Sequence, residues 1–335
     1  MSKVFDLWNE VGGAFGPSGR EDAVREAIAA IAGEYIDDVT TDALGNLICR
    51  KKGSGKKVLF AAHMDSIGVV ATYIDEKGFI RFSQVGGLFK GDLINITVRF
   101  ANGTRGVISY EEKTPFKDLT LDNLFIDIGA RDRADAEKQV QVGDFAVFEA
   151  PPFEQNGVLC GPYLDNRIGC VTLLRAMEQV GETDNDLYFV FTAQEEVGLR
   201  GAGAAAFAVQ PDVAIAVDVT DTGDLPERKT PMAVDMGKGP TVKVMDRSVI
   251  CTPAVCAALE QAAHDCGVAT QREILQFGGT DTAALQKARA GVQAGAVSIP
   301  TRYIHSPSEM CAVSDVEDAA KLLARFAVTF GAQKA

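Results

Sequence analysis

The chain has 335 residues, 47% of them hydrophobic, enough to bury the cores of two domains and too apolar for a disordered or fibrous protein. Its 33 Lys and Arg face 46 Asp and Glu, a formal net charge of -13, which disfavours a polyanion such as nucleic acid as partner. No apolar stretch reaches the roughly 18 residues of a membrane helix and Met1 to Trp8 lacks the apolar centre of a signal peptide, so a cytoplasmic chain without membrane contact is expected.

In chain order, Ser18-Gly19-Arg20-Glu21 has the spacing of a capping box, and Ala23 to Ala32 continues with small apolar residues at helical intervals. Val58 to Ala62 is an apolar run of the length of a buried strand. From about Val69 to Cys160 the texture changes to short alternating segments, such as Ile94 to Phe100, separated by Gly and Asn turns, which predicts a small barrel or sandwich. After Gly161, helical and strand-like runs alternate: Arg167 to Val180, Leu187 to Thr192, Gly203 to Val209, Val213 to Val219, Pro253 to Cys266 and Val316 to Phe330. The expected fold is α/β, a mostly parallel sheet with helices on both faces. Its domain is discontinuous, over 1–68 and 161–335, and is interrupted by an inserted β-rich domain at 69–160. The seven cysteines are scattered and contain no C-x-x-C pair, so neither a disulfide frame nor a cysteine zinc site is signalled.

Polar side chains gather where the apolar runs end, which is where open α/β sheets place ligands. His63 follows Val58 to Ala62, and Asp65, two residues on, shares its face in an extended segment and is placed to orient it. Glu195 and Glu196 follow the Leu187 strand. Alternation points them differently, so that one can ligate a cation while the other faces a water, and a cation removes the repulsion that burial would otherwise impose. Asp218 ends the Val213 run, where an unpartnered carboxylate is costly to bury. Asp165 stands just before a helix, where it also fits an ordinary N-cap. His305 follows Ile299 to Ile304, while His264, beside Asp265 in a helical pattern, reads as a surface residue. The ordered set is that of a two-metal hydrolase.

The motifs His63-Met64-Asp65-Ser66-Ile67-Gly68, Leu164-Asp165-Asn166-Arg167, Gln194-Glu195-Glu196-Val197-Gly198, Gly279-Thr280-Asp281 and Pro300-Thr301-Arg302-Tyr303-Ile304-His305 together resemble the co-catalytic metallo-aminopeptidases, the family of glutamyl aminopeptidase and the tetrahedral (TET) aminopeptidases, some of them labelled endoglucanases. The resemblance implies two divalent ions, one held by His63, Asp165 and Asp218 and the other by Asp165, Glu196 and His305. It implies Glu195 as general base and Asp65 as support for His63. It also implies subunits paired through the inserted domain and assembled into a twelve-subunit particle. Ser66 departs from the pattern, since many relatives carry Glu there; the ligand set is unaffected.

Imidazole and carboxylate donors suit Zn²⁺, Co²⁺ or Mn²⁺ better than Ca²⁺ or Mg²⁺. The expected reaction is removal of N-terminal residues from short peptides by a water that two metals activate. Three other readings compete: a di-metal deacylase or dipeptidase with nearly the same ligands, a glycosidase using a carboxylate pair, and a metal-stabilised assembly module without activity. Gly278 to Asp281 and Val85-Gly86-Gly87 are placed equally well for pocket walls and for ordinary turns.

Overall fold

An eleven-stranded sheet and a closed six-stranded barrel carry the chain in the computed structural model, which describes residues 1–228 and 230–331. The strands Asp186–Thr192, Lys57–His63, Val213–Thr220 and Gln293–Arg302 lie side by side and run parallel at the sheet's centre. Antiparallel strands flank them: Leu47–Lys51 and Asp38–Thr41 on one side, and Glu309–Ala312, Val158–Gly161 and Phe153–Gln155 on the other. Thr241–Met245 pairs with Gln293–Arg302 and carries Gln271–Ile274 as its own partner.

The central strands are continuous apolar runs because helices cover both faces. Along Lys57–His63, Val58, Phe60 and Ala62 join a core with the helices Lys3–Gly13, Leu164–Gln179 and Val313–Thr329. Leu59 and Ala61 face the other way, into a smaller core with Ala202, Ala205 and Ala206 of the helix Arg200–Val209. Small residues on that helix let it lie close to the sheet. Phe60 and Phe189, paired in the parallel register, stack with ring centres 5.3 Å apart. The shared direction of the four central strands brings His63, Thr192 and Asp218, from three of them, to a common edge.

The β-rich segment is a barrel of Gly68–Ile74, Ile80–Val85, Thr97–Phe100, Arg105–Tyr110, Leu124–Asp127 and Phe145–Phe148, closed by pairing of the first strand with the last. Its own core includes Val69, Ile80, Val98, Phe100, Ile108, Ile126 and Phe148. Closure leaves no free strand edge, so a short, weakly apolar segment can be stable. Two strands expected with the insertion, Phe153–Gln155 and Val158–Gly161, pair into the large sheet instead. The local pattern of a short strand does not state which neighbour it will find.

The N-terminal region departs from expectation in two ways. A helix at Lys3–Gly13, N-capped by the Ser2 hydroxyl, precedes the one foreseen. The second helix, Asp22–Ala32, has no side-chain cap, and Ser18 and Glu21 turn elsewhere. The Ser18 hydroxyl donates to Asp65 at 2.6 Å, and Glu21 accepts the N–H groups of Gly19 at 2.7 Å and Gln194 at 3.2 Å. Ring-forming hydrogen bonds of a cap lost to bonds that tie three chain segments together. Among the described residues no helix is long and apolar enough to cross a membrane.

Candidate active site

At the carboxyl edge of the parallel strands the structure brings together all seven residues singled out above. His63 ends its strand with Nε2 3.1 Å from Asp165 Oδ1, 3.7 Å from Asp218 Oδ1 and 3.9 Å from Glu195 Oε2. His305, from the loop after Gln293–Arg302, has Nε2 3.2 Å from Asp165 Oδ2 and 3.3 Å from Glu196 Oε2. Asp165 thus offers one oxygen to each imidazole. Ligand atoms of His63, Asp165 and Glu196, and likewise of His63, Glu195 and Asp218, all lie within 4.8 Å of one another, close enough to hold a cation. His264, in contrast, has an exposed side chain.

Asp65 is fully buried, and its carboxylate does more than accompany the histidine. It lies 3.5 Å from His63 Nδ1, while the nearer partner of that nitrogen is Asp65's own carbonyl, at 3.2 Å. Its oxygens accept the backbone N–H of Glu195 at 2.9 Å and of Glu196 at 3.2 Å, so one side chain orients the imidazole and anchors the turn bearing both glutamates. Thr192, at the end of the neighbouring strand, donates to the buried carboxylate of Asp281 at 2.5 Å.

Burial favours the neutral imidazole of His63, yet the charges of Glu195 and Asp218 and the bonds to Asp165 and Asp65 outweigh it and hold the ring well above its ordinary value. Burial opposes His305 as well, but Glu196 and Asp165 lift it to about 12. Glu195 and Asp218 are driven well above the carboxylate range by burial and by their acidic neighbours, with His63 in opposition. Burial likewise pushes Asp165 up, but its two imidazole partners hold it below. Glu196 is raised, mainly by burial, and its buried Oε1 has no hydrogen-bond partner. Crowded acids pushed towards protonation, with an orphaned carboxylate oxygen among them, are the setting that a divalent cation reverses.

A cavity of about 670 Å³ opens over these residues, walled by Leu199, Val219, Leu225, Leu275, Phe277 and other side chains. Gly87, Phe89 and Asp92, from the segment after the second barrel strand, reach into it. Gly86 turns the chain and Gly87 lines the cavity. Gly86 has φ +79°, and a Cβ on it would stand 3.1 Å from Glu196 Oε2; one on Gly87 would stand 3.3 Å from the His305 ring. The Gly278 to Thr280 turn also lines the cavity.

Reading the sequence missed three supporting residues: Ser18, Glu21 and Glu309. Glu309 is 1% exposed, and its carboxylate accepts the backbone N–H of Asp165 at 2.9 Å and of His305 at 2.8 Å. A glutamate in a short polar stretch carries no local sign of such a position, although its place four residues after His305 marks it as near the site.

A parallel-centred α/β sheet with a buried cluster of imidazoles and carboxylates at its carboxyl edge defines a hydrolase of the metal-dependent kind. The chain belongs to the M42 glutamyl aminopeptidase family, whose profile matches residues 45–322, and it is an aminopeptidase. It is 50% identical over 321 residues to a putative aminopeptidase of Acetivibrio thermocellus, covering 96% of this chain and 97% of that one. To the lysyl aminopeptidase of Pyrococcus furiosus it is 36% identical over 328 residues, 92% of each. Among solved structures, the Pyrococcus horikoshii TET1 peptidase, described as assembling into a tetrahedron or a large octahedral shell, matches with TM-score 0.88 and 31% identity over 98% of this chain and 100% of that chain.

Proposed function

We propose that this aminopeptidase removes the first residue of short peptides at a centre of two divalent cations, one held by His63, Asp165 and Asp218 and the other by Asp165, Glu196 and His305. The observation that carries this reading is the pair of Asp165 oxygens, each about as close to one imidazole as the other is to its own. The buried, unpartnered Glu196 Oε1 supports it. Zn²⁺, Co²⁺ or Mn²⁺ suits these donors, and when bound the cations would polarise the scissile carbonyl and acidify the attacking water.

Glu195 takes the proton of that water and delivers it to the leaving amine. Its oxygen, 3.9 Å from His63, stands beside the cation held with Asp218, within reach of a water bound there, and the assignment as base rather than ligand follows the family's motif. Asp65 keeps both glutamates in place through their backbone N–H groups and fixes the plane of the His63 ring. Release of p-nitroaniline from a panel of aminoacyl-p-nitroanilides, on metal-stripped protein and after restoring each metal, tests the reading. Activity should vanish and return. Hydrolysis of N-acyl amino acids in preference to free-amine substrates would sink it in favour of a deacylase.

The cavity favours an uncharged first residue. Arg228 is paired with Asp221, so an acidic side chain must compete with that carboxylate and a basic one with that guanidinium, and Asp92, also lining the cavity, adds negative charge that further disfavours an acidic residue. Leu225, Leu275 and the exposed ring of Phe277 instead offer apolar surface to cover. Leu-p-nitroanilide should therefore be cleaved faster than the Glu and Lys substrates of the same panel, and a reversed order would refute this preference.

In assembly we infer a cytoplasmic homo-oligomer, a twelve-subunit tetrahedral particle built through the inserted barrel; the tetrahedron named in the TET relative's description supports its tetrahedral form. Light scattering that returns a monomer at micromolar concentration would exclude it.

A further inference from the structure

The strand Glu309–Ala312 lies between two others whose ends lead into the site. On one side it pairs with Val158–Gly161, in a register that sets Gly161 opposite Glu309, and that strand runs on to Asp165. On the other side it pairs with the end of Gln293–Arg302, which sets Arg302 opposite Met310, and that strand runs on to His305. Glu309, first residue of the middle strand, therefore stands between the two chain segments as they leave the sheet. Its two oxygens divide between them, one on the Asp165 N–H and one on the His305 N–H.

Both segments need holding. His305 has φ +65°, and Tyr303 and Tyr163 have φ +60° and +65°, left-handed conformations that non-glycine residues adopt at a cost and keep only where surrounding contacts over-determine them. The strand order brings these two strained segments together, and one buried carboxylate bonded to both fixes the distance between them. Fixing that distance fixes where Asp165 Oδ2 and His305 Nε2 meet.

We propose that Glu309 is a positioning residue for the cation held by Asp165 and His305, setting its affinity without touching it. This rests on the two-cation reading given above. Glu309 holds two of the ligands of the cation bound with His305, and only the shared Asp165 of the other, so the effect should fall more heavily on the first of these cations.

The test uses the full-length chain and Zn²⁺. Glu309→Gln keeps shape and size but turns an NH₂ towards one of the two N–H donors, while Glu309→Asp keeps the charge on a side chain one methylene shorter. Calorimetric titration of the metal-stripped proteins should show two Zn²⁺ bound by the unaltered chain. In the variants one of these should weaken by about 10- to 100-fold, the loss typical for removal of a group that orients a metal ligand. The metal concentration for half-maximal turnover should rise by a similar factor. Substituting Co²⁺ supplies a second reading, since the visible absorption of the weakened ion should appear only at higher metal.

Variants that melt at lower temperature but bind both Zn²⁺ as tightly as the unaltered chain would overturn the proposal and leave Glu309 a purely structural residue. If the Gln variant does not fold, the Asp variant decides in the same way. Fewer than two Zn²⁺ on the unaltered chain would overturn the two-cation reading, and this inference with it.

Discussion

Two clusters of buried charge lie in this molecule, and they are built on opposite terms. In the first, Lys243 is wholly buried with its ammonium 3.1 Å from Asp246 and 2.9 Å from Glu273. The remaining oxygens are engaged as well: Thr241 donates to Glu273 at 2.6 Å, and Asp246 accepts the Ser248 N–H at 2.7 Å and the Thr280 hydroxyl at 3.2 Å. In the second, His63 and His305 face five carboxylates, those of Asp65, Asp165, Glu195, Glu196 and Asp218. In the first cluster one ammonium touches both of its carboxylates, an excess of a single acid, whereas in the second five carboxylates share two imidazoles, an excess of three. Burial of ionised groups is tolerated when they are paired, so the lysine-paired cluster stands on its central ammonium, while the acid-rich one calls for a cation.

The largest expected effect separates them by their need for metal. A chelator should abolish peptidase activity, and added Zn²⁺, Co²⁺ or Mn²⁺ should restore it, while near-ultraviolet circular dichroism shows the fold of the metal-stripped chain largely kept. Unfolding on chelation would break the contrast, because it would make the acid-rich cluster a structural one.

Glu195→Gln should lower kcat by about 10²- to 10⁴-fold, the usual contribution of a general base, with both metals retained by elemental analysis. Lost metal with unchanged kcat per metal-loaded site would assign Glu195 to ligation instead.

Lys243→Met acts on the lysine-paired cluster and should reverse the pattern. Two buried carboxylates lose their counter-charge, which costs about 3–5 kcal/mol of stability in denaturant titration. Metal should still be bound by the folded fraction, with at most a small change in affinity through the charge that Lys243 exerts on Asp218. Loss of metal from the folded fraction would break the contrast between the clusters.

The smallest effect is on pH dependence. Burial, reinforced by the charge of Asp65, pushes Asp281 up to about 6, and Glu195 and Asp218 are raised as well. The folded protein therefore keeps protons that the unfolded chain has lost above about pH 4. Stability from these groups is full below the unfolded values and is lost as pH rises through the folded ones. The melting temperature of metal-stripped protein should fall between pH 5 and 7, and metal should flatten that slope by replacing the protons. The lysine-paired cluster contributes nothing in this window: Asp246 is held low by Lys243 against the effect of burial, so its stabilisation is lost only as pH falls into the acid range. An unchanged slope with metal would break the comparison.

What could be read from the chain alone followed from local patterns. The apolar runs at Val58, Leu187 and Val213 are buried strands, and His63, Glu195, Glu196 and Asp218 stand at or just past their ends. Alternation of side chains and the unfavourable burial of unpartnered carboxylates were enough to mark them. Asp165 and His305 belonged to the same ordered set, although Asp165 also fitted an N-cap, and resemblance to a family gave each its role. A helix cap and a support for Asp65 are both consistent with Ser18 until the fold is known.

Tertiary structure decided the rest. That Phe153–Gln155 and Val158–Gly161 join the large sheet, that Asp65 carries the backbone of two glutamates, and that Glu309 spans Asp165 and His305 all depend on which strands become neighbours. Strand order brings segments more than a hundred residues apart within hydrogen-bond reach. The period of side chains along one strand records which face is buried and carries no record of the neighbour, so the proposed ligands were legible while the residues that hold them in place were not.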